Sequence, residues 1–233
     1  MPKTKTFVNW SGGKDACMAL YHSAQQPHLE ICSLLTTISL PYQRITMHGV
    51  SKKLLLAQTK ALGIPVHILE LPSGVDMQTY DQLMKQTLNQ FREKGFQLSV
   101  FGDIFLEDLK QYREQQFVNS GIELLFPLWQ NQTKMLIHDF IELGFKAKIV
   151  AANARLIDQE FLGRTLDHQL IATLPEEVDP CGENGEFHTF VYDGPLFENP
   201  LDISVGDTVL KKYGKESSQW DNEFWFCELN LNS

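Results

Sequence analysis

No stretch of this 233-residue chain approaches the roughly 18–20 consecutive apolar residues that a membrane-crossing helix needs. The N-terminus, Met1-Pro2-Lys3-Thr4-Lys5, leads directly into a strand-like segment and lacks the apolar core of a signal peptide, which makes the cytoplasm the default location. Cysteine is scarce: Cys17, Cys32, Cys181 and Cys227 lie far apart with no Cys-x-x-Cys pair, so neither a structural zinc nor a redox dithiol is indicated. Cys17, Cys32 and Cys227 fall in helix- or strand-like runs and read as core residues. An excess of positive charge is also missing. Lys and Arg total 20 against 29 Asp and Glu, a net charge of −9 that argues against broad electrostatic binding to nucleic acid and leaves only a local basic patch open.

What is present suits an ordinary globular protein, with 43% hydrophobic and 21% charged residues and enough length for one large domain or two modest ones. The most informative stretch is Phe7-Val8-Asn9-Trp10-Ser11-Gly12-Gly13-Lys14-Asp15-Ala16-Cys17. An apolar run from Thr6 to Trp10 predicts a buried strand, and Asp15 to Gln25 carries apolar residues at helical spacing. Between them Ser11-Gly12-Gly13-Lys14 forms a very short turn. Its two glycines let the backbone approach a ligand closely, and the following helix aims unpaired N–H groups and the positive end of its dipole at the occupant. Such a turn suits phosphate; the bland alternative is a glycine-rich strand–helix turn without a ligand. The spacing matches neither Gly-x-x-x-x-Gly-Lys-Ser/Thr nor Gly-x-Gly-x-x-Gly. It resembles instead the PP-loop of the ATP pyrophosphatases, which cleave ATP to AMP and pyrophosphate. That resemblance implies that Ser11, Gly12, Gly13, Lys14 and Asp15 hold the β- and γ-phosphates and their Mg2+. Those enzymes often carry Ser after the Asp, where this chain has Ala16.

Further along, strand-like runs at Leu29–Ile38, Val66–Leu71, Leu98–Phe101 and Ile122–Phe126 alternate with helical segments at Ser51–Leu62, Asp76–Lys94 and Leu106–Asn119. Ser51 is placed to cap its helix, with Gly63 to stop it. This alternation predicts an α/β fold, a doubly wound five-stranded parallel sheet of order 3-2-1-4-5. Strands one and four then lie side by side at the switch point, outside whose C-terminal ends ligands bind. Gly102 and Asp103 would face the Ser11 turn across that crevice, and Thr36 to Ser39, including Thr37, would lie beside it. Asp103 has two readings: a cap on the next helix, or a ligand for Mg2+ beside the α-phosphate. His48, in a polar loop, either touches the adenine or ribose or is merely surface. Beyond residue 128 the pattern changes to a smaller α+β domain, with a helix at Asn131–Leu143, helical character around Asp167–Leu174, and strand-like runs at 147–152, 187–191, 208–212 and 224–229. The expected domains are 1–128 for ATP and 129–233 for the acceptor substrate.

The other informative segment is Asp179-Pro180-Cys181-Gly182-Glu183-Asn184-Gly185-Glu186-Phe187-His188-Thr189-Phe190. Its Pro and Gly residues impose a loop, while the apolar Phe187, Phe190 and Val191 tie that loop to packed structure instead of leaving it solvated. Together with Gly102-Asp103-Ile104 and Asp193-Gly194-Pro195-Leu196-Phe197, the run Gly-Glu-Asn-Gly-Glu-Phe-His-Thr-Phe resembles the diphthine–ammonia ligase family of PP-loop enzymes, over Trp10 to about Phe197. The resemblance implies ATP and ammonia as substrates and, as acceptor, the carboxylate of diphthine on elongation factor 2. It also places residues 182–189 in the acceptor site.

The residue types are compatible with this chemistry. Lys14, Mg2+ on Asp103 and the turn amides would stabilise charge at the α-phosphate. Glu183 and Glu186 would hold or deprotonate ammonium, or pair with a quaternary nitrogen, and Phe187, Phe190 or Trp129 would offer that cation an aromatic face. His188 is a candidate general base, or only a structural hydrogen-bonding group. Cys181 has no visible base to activate it as a nucleophile. Rival readings are a PP-loop ligase acting on a small-molecule carboxylate, a PP-loop RNA-modifying enzyme, disfavoured by the missing Cys-x-x-Cys and the acidic charge, and a non-catalytic nucleotide-binding regulator.

Overall fold

Apolar runs of strand length, separated by amphipathic helices, sort the first half of the chain into one parallel sheet. In the computed structural model, which describes residues 2–46, 48–212 and 223–232, that half runs β1 (Thr4–Asn9), α1 (Lys14–Ala24), β2 (Leu29–Ser39), β3 (Arg44–Ile45), α2 (Lys52–Ala61), β4 (Val66–Leu71), α3 (Met77–Glu93), β5 (Leu98–Val100), α4 (Glu107–Phe117) and β6 (Glu123–Leu125). The five parallel strands lie in the order β4-β2-β1-β5-β6, the expected 3-2-1-4-5 arrangement. An additional two-residue strand, β3, pairs antiparallel with the end of β2 and turns the predicted polar loop back over the sheet's C-terminal edge.

Alternation along β1 separates the two faces. Val8 joins Leu34, Val100 and the apolar residues of α1 and α2 in one core cluster, whereas Phe7 joins Leu35, Phe101 and residues of α3 and α4 in another. Helices therefore cover both faces. Ser51 caps α2 as expected, accepting from Leu54 N–H at 3.4 Å, and Asp76, expected as the first residue of its helix, caps α3 by accepting from Thr79 N–H at 2.8 Å. Asp103 is no cap. The residue preceding α4 is Leu106, without a capping hydrogen bond.

The second half runs α5 (Thr133–Glu142), β7 (Lys146–Asn153), a 3-10 turn (Gln159–Phe161), α6 (His168–Thr173), β8 (Phe187–Asp193), β9 (Ile203–Lys212) and β10 (Glu223–Leu231). Its four strands make an antiparallel sheet in the order β8-β7-β10-β9. The strands of the two sheets occupy separate stretches of sequence, yet one core cluster runs from Val8 through α1 and α2 to Ile149, Phe190 and Leu229. The layer of α1 and α2 is thus packed on both sides, and the start of β8 is brought to the Ser11 turn.

Candidate active site

The turn after β1 is set by its backbone. Gly12 lies at φ +80°, and a Cβ there would come within 2.8 Å of Gln58 Oε1. The carbonyl of Gly12 accepts from Val191 N–H and from Gln58 Nε2, both at 2.9 Å. Gln58 is fully buried; its Nε2 also donates to the Val191 carbonyl at 2.6 Å, and its Oε1 accepts from the Trp10 indole at 2.9 Å. Gly13 is the residue before α1, and its missing side chain leaves room for Thr189. The hydroxyl of Thr189 accepts from Lys14 N–H at 3.0 Å. One amide of the expected phosphate cradle is therefore engaged by β8, a contact no sequence pattern announces. The side chain of Lys14 is buried, with Nζ 2.7 Å from both oxygens of Asp15 and 5.8 Å from the centre of the Phe187 ring. Burial opposes its charge, but Asp15, and beyond it Cys181 and Glu183, raise its pKa above the usual lysine value.

Gly102, two residues past the end of β5, lies against the first turn of α1, where a Cβ would lie 2.8 Å from the backbone carbon of Asp15. This close approach puts Asp103 beside the turn, as the switch-point topology predicts. Asp103 Oδ2 is buried without a hydrogen-bond partner, 3.8 Å from an Arg113 Nε that is equally unpartnered. Burial raises the pKa of the Asp103 carboxyl, with Arg113 pulling the other way. The Arg113 guanidinium lies 5.1 Å from the centre of the Phe101 ring.

In the loop before β8, Glu183 Oε1 accepts from Ile104 N–H at 2.8 Å and from Phe105 N–H at 3.4 Å, tying the loop to the end of β5. Burial pushes its carboxyl up to about 7 despite those donors. Glu186 turns the other way. Its Oε1 accepts from Asp179 N–H and Asn184 Nδ2, both at 3.0 Å, and Oε2 is buried without a partner. Cys181 is buried, donates to the Thr133 carbonyl, and has its thiol pushed up to about 12 by burial, the opposite of an activated nucleophile.

His48 and His188 meet face on, ring centroids 4.3 Å apart and tilted by 36°. Burial lowers the pKa of His48 to about 4 and that of His188 well below the ordinary value, with Lys14 acting in the same direction on both. Two neutral imidazoles thus stand near Lys14. Thr37 bonds Thr46 through their hydroxyls at 2.7 Å, at the junction of β2 with β3.

These groups line one cavity of about 590 Å3. It brings together Ser11, Gly13, Lys14, Asp15, Thr37, His48, Gly102, Asp103, Glu183 and His188. Gly12 supports the turn from behind, and Glu186 stays outside the lining, bracing the loop. Of the three aromatic candidates only Phe187 lines the cavity; Phe190 is core, and Trp129 sits against Phe126 and Lys110. The cavity also runs between α3 and α4, past Tyr80, Tyr112 and Arg113, which sequence reasoning missed. Their helices read as plain amphipathic segments, and only the packing of α3 beside α4 turns these residues toward the site. Asp103 supplies the hard oxygen donor and unmet hydrogen-bonding capacity that Mg2+ requires, with Asp15 a second carboxylate on the turn.

Residues 4–124 match the Diphthamide synthase N-terminal domain and residues 132–232 the Diphthamide synthase C-terminal domain. The diphthine–ammonia ligase of Homo sapiens is 24% identical over 225 residues, covering 86% of this chain and 83% of that protein. That of Danio rerio is 25% identical over 231 residues, with 86% of each covered. A diphthine–ammonia ligase of Schizosaccharomyces pombe is 30% identical over 99 residues, which span 41% of this chain and 16% of that protein.

Proposed function

The chain belongs to the diphthamide synthase family, and from that premise we propose that it is an ATP-dependent amide-forming ligase working where the 11–15 turn meets the 182–189 loop. The acceptor's carboxylate oxygen attacks the α-phosphorus of ATP, the bond from that phosphorus to its bridging oxygen breaks, and pyrophosphate leaves. Ammonia then attacks the acyl carbon, AMP departs, and the nitrogen gives up a proton. The reading is carried by the hydrogen bond from Lys14 N–H to Thr189 Oγ1, because it joins the 182–189 segment to the 11–15 turn.

In this mechanism Ser11, Gly12, Gly13 and the start of α1 receive the terminal phosphates, and buried Lys14 exchanges Asp15 for a phosphate oxygen. Mg2+ held by Asp15 and Asp103 would neutralise phosphate charge. Thr37, His48 and Gly102 contact the nucleoside side of ATP. Glu183, with an acid constant near neutrality, takes the proton from the attacking nitrogen. His188 stays neutral and orients a substrate by hydrogen bonding. Glu186 braces the loop, and Arg113 engages an anionic oxygen of a bound substrate. The division of labour falls near residue 128, with nucleotide before it and acceptor after it.

The acceptor is diphthine on elongation factor 2, whose quaternary nitrogen finds carboxylates and the Phe187 ring in the cavity. A cytoplasmic location goes with this reading, and no described helix is long and apolar enough to cross a membrane. The test supplies ATP, Mg2+, ammonium and diphthine-bearing elongation factor 2, and follows AMP and amide. The intact chain is expected to make AMP and amide in equal amounts, and Asp103→Ala to slow both by roughly 10²–10³-fold with thermal unfolding intact. AMP formed only with a small carboxylate would remove the acceptor assignment and leave the ligase chemistry. ADP as the product would remove both.

A further inference from the structure

A second cluster of ligating side chains sits at the seam of α5 and α6, outside the cavity lining. His138 and Glu142 are four residues apart on α5, hence one turn apart on the same face. His168 opens α6, where Asp167 Oδ1 fixes the helix start by accepting from Leu170 N–H at 2.7 Å. This places His168 Nε2 2.9 Å from Glu142 Oε1, and the His168 ring centroid 5.0 Å from that of His138. One donor atom from each of the three lies within 4.8 Å of the others.

We propose that His138, Glu142 and His168 form a surface site for a borderline divalent transition ion, Zn2+ foremost, with its remaining positions taken by water. Ligands at about 2.0–2.2 Å around a tetrahedral zinc lie roughly 3.3–3.5 Å from one another. The donor atoms, within 4.8 Å of one another, need only close by about an ångström, and the His168 and Glu142 side chains are 53% and 61% exposed, with solvent around them in which to turn. Two imidazoles select against Mg2+ and Ca2+, so this site does not compete with carboxylates for the ion that accompanies ATP. A bound ion would fasten the start of α6 to the end of α5, and α6 leads through residues 174–181 into the loop that carries Glu183. The site stands independently of the ligase reading.

The test uses the untagged full chain at pH 7.5 in competition with a chromophoric zinc chelator. One equivalent of Zn2+ is expected to bind with a micromolar or tighter dissociation constant. His138→Ala and His168→Ala should each weaken it by about 10–100-fold or more, and Glu142→Gln by less. Zinc should raise the thermal midpoint of the parent chain and leave those of the two histidine variants unmoved. All three side chains are exposed, so the variants are expected to keep the parent's circular dichroism. Failure of the parent chain to take up zinc, or unchanged affinity in both histidine variants, overturns the proposal.

Discussion

The Ser11–Asp15 turn takes its shape from its own backbone: Gly12 sits at positive φ, Gly13 yields space to Thr189, and Gly102 lets β5 close against α1. The 179–189 loop opposite takes its shape from carboxylates. Asp179 Oδ1 accepts from Cys181 N–H, Glu186 Oε1 from Asp179 N–H, and Glu183 Oε1 from the amide of Ile104, 79 residues away. The glycines of such a turn are legible in adjacent residues, although its partners Gln58, Thr189 and Val191 are not. Side-chain reach can tie a loop locally, as Glu186 does with Asp179, or to a distant segment, as Glu183 does with Ile104, so these two residues, three positions apart, end with opposite roles. The first faces the cavity with an acid constant near neutrality, and the second is spent on the loop itself.

The contrast can be broken or sharpened by substitution. The largest effect is expected for Lys14→Ala, which removes the cation of the turn: AMP formation should fall by about 10²–10³-fold. A loss under tenfold would mean that backbone amides alone manage the phosphates. Next comes Gly102→Ala, whose new Cβ meets the backbone of Asp15 and not a flexible side-chain tip. Urea unfolding should show a destabilisation of about 1–3 kcal/mol, with weakened ATP binding. Gly185→Ala, at φ +87° with open space around it, should cost about 1–2 kcal/mol through backbone strain alone, with ATP binding less affected; an equal loss of ATP binding at the two positions would erase the distinction.

The smallest effect concerns Glu183 and depends on pH. Its carboxyl titrates at about 7 when folded, above the ordinary value of 4.5, so the folded state holds the proton more tightly. Its contribution to stability is therefore fully present below pH 4.5 and lost as pH rises through about 7. Glu183→Gln keeps an acceptor for Ile104 N–H and removes that titration. Thermal midpoints of parent and variant should differ little near pH 4.5, and the variant should gain relative to the parent above pH 7. A difference independent of pH would show that the carboxyl is not held in its neutral form by burial.

The sheet was legible because its signals are short-range. Apolar runs, Ser51 and Asp76 at helix starts, and glycines after helices place every strand of the parallel order, and the switch-point rule then brings Gly102 and Asp103 to the turn. The capping alternative for Asp103 fails because α4 starts three residues later than a cap would require. β3 is too short to show periodicity, and it hides the contact of the half-buried His48 with His188, 140 positions away, which the surface reading of His48 does not anticipate. Arg113 and Tyr80 were hidden for the same reason, since helix spacing shows which residues share a face but not which face lines a cleft. Thr189 carries no motif of its own, and its hydrogen bond to the turn exists only because the second sheet docks on α1 and α2.

The buried amide of Gln58 has a consequence for how the protein is made. It joins Trp10, Gly12 and Val191, residues delivered by the ribosome at widely separated times. While β8 is still unsynthesised, the Gly12 carbonyl and the Lys14 amide await their partners, and the nascent N-terminal portion has an unfinished wall. The part of the cavity wall formed by Glu183, His188 and Thr189 is thereby completed only late in translation. A gene cut between the two sheets would yield an N-terminal fragment whose Gly12 carbonyl and Lys14 amide lack the partners that Val191 and Thr189 supply.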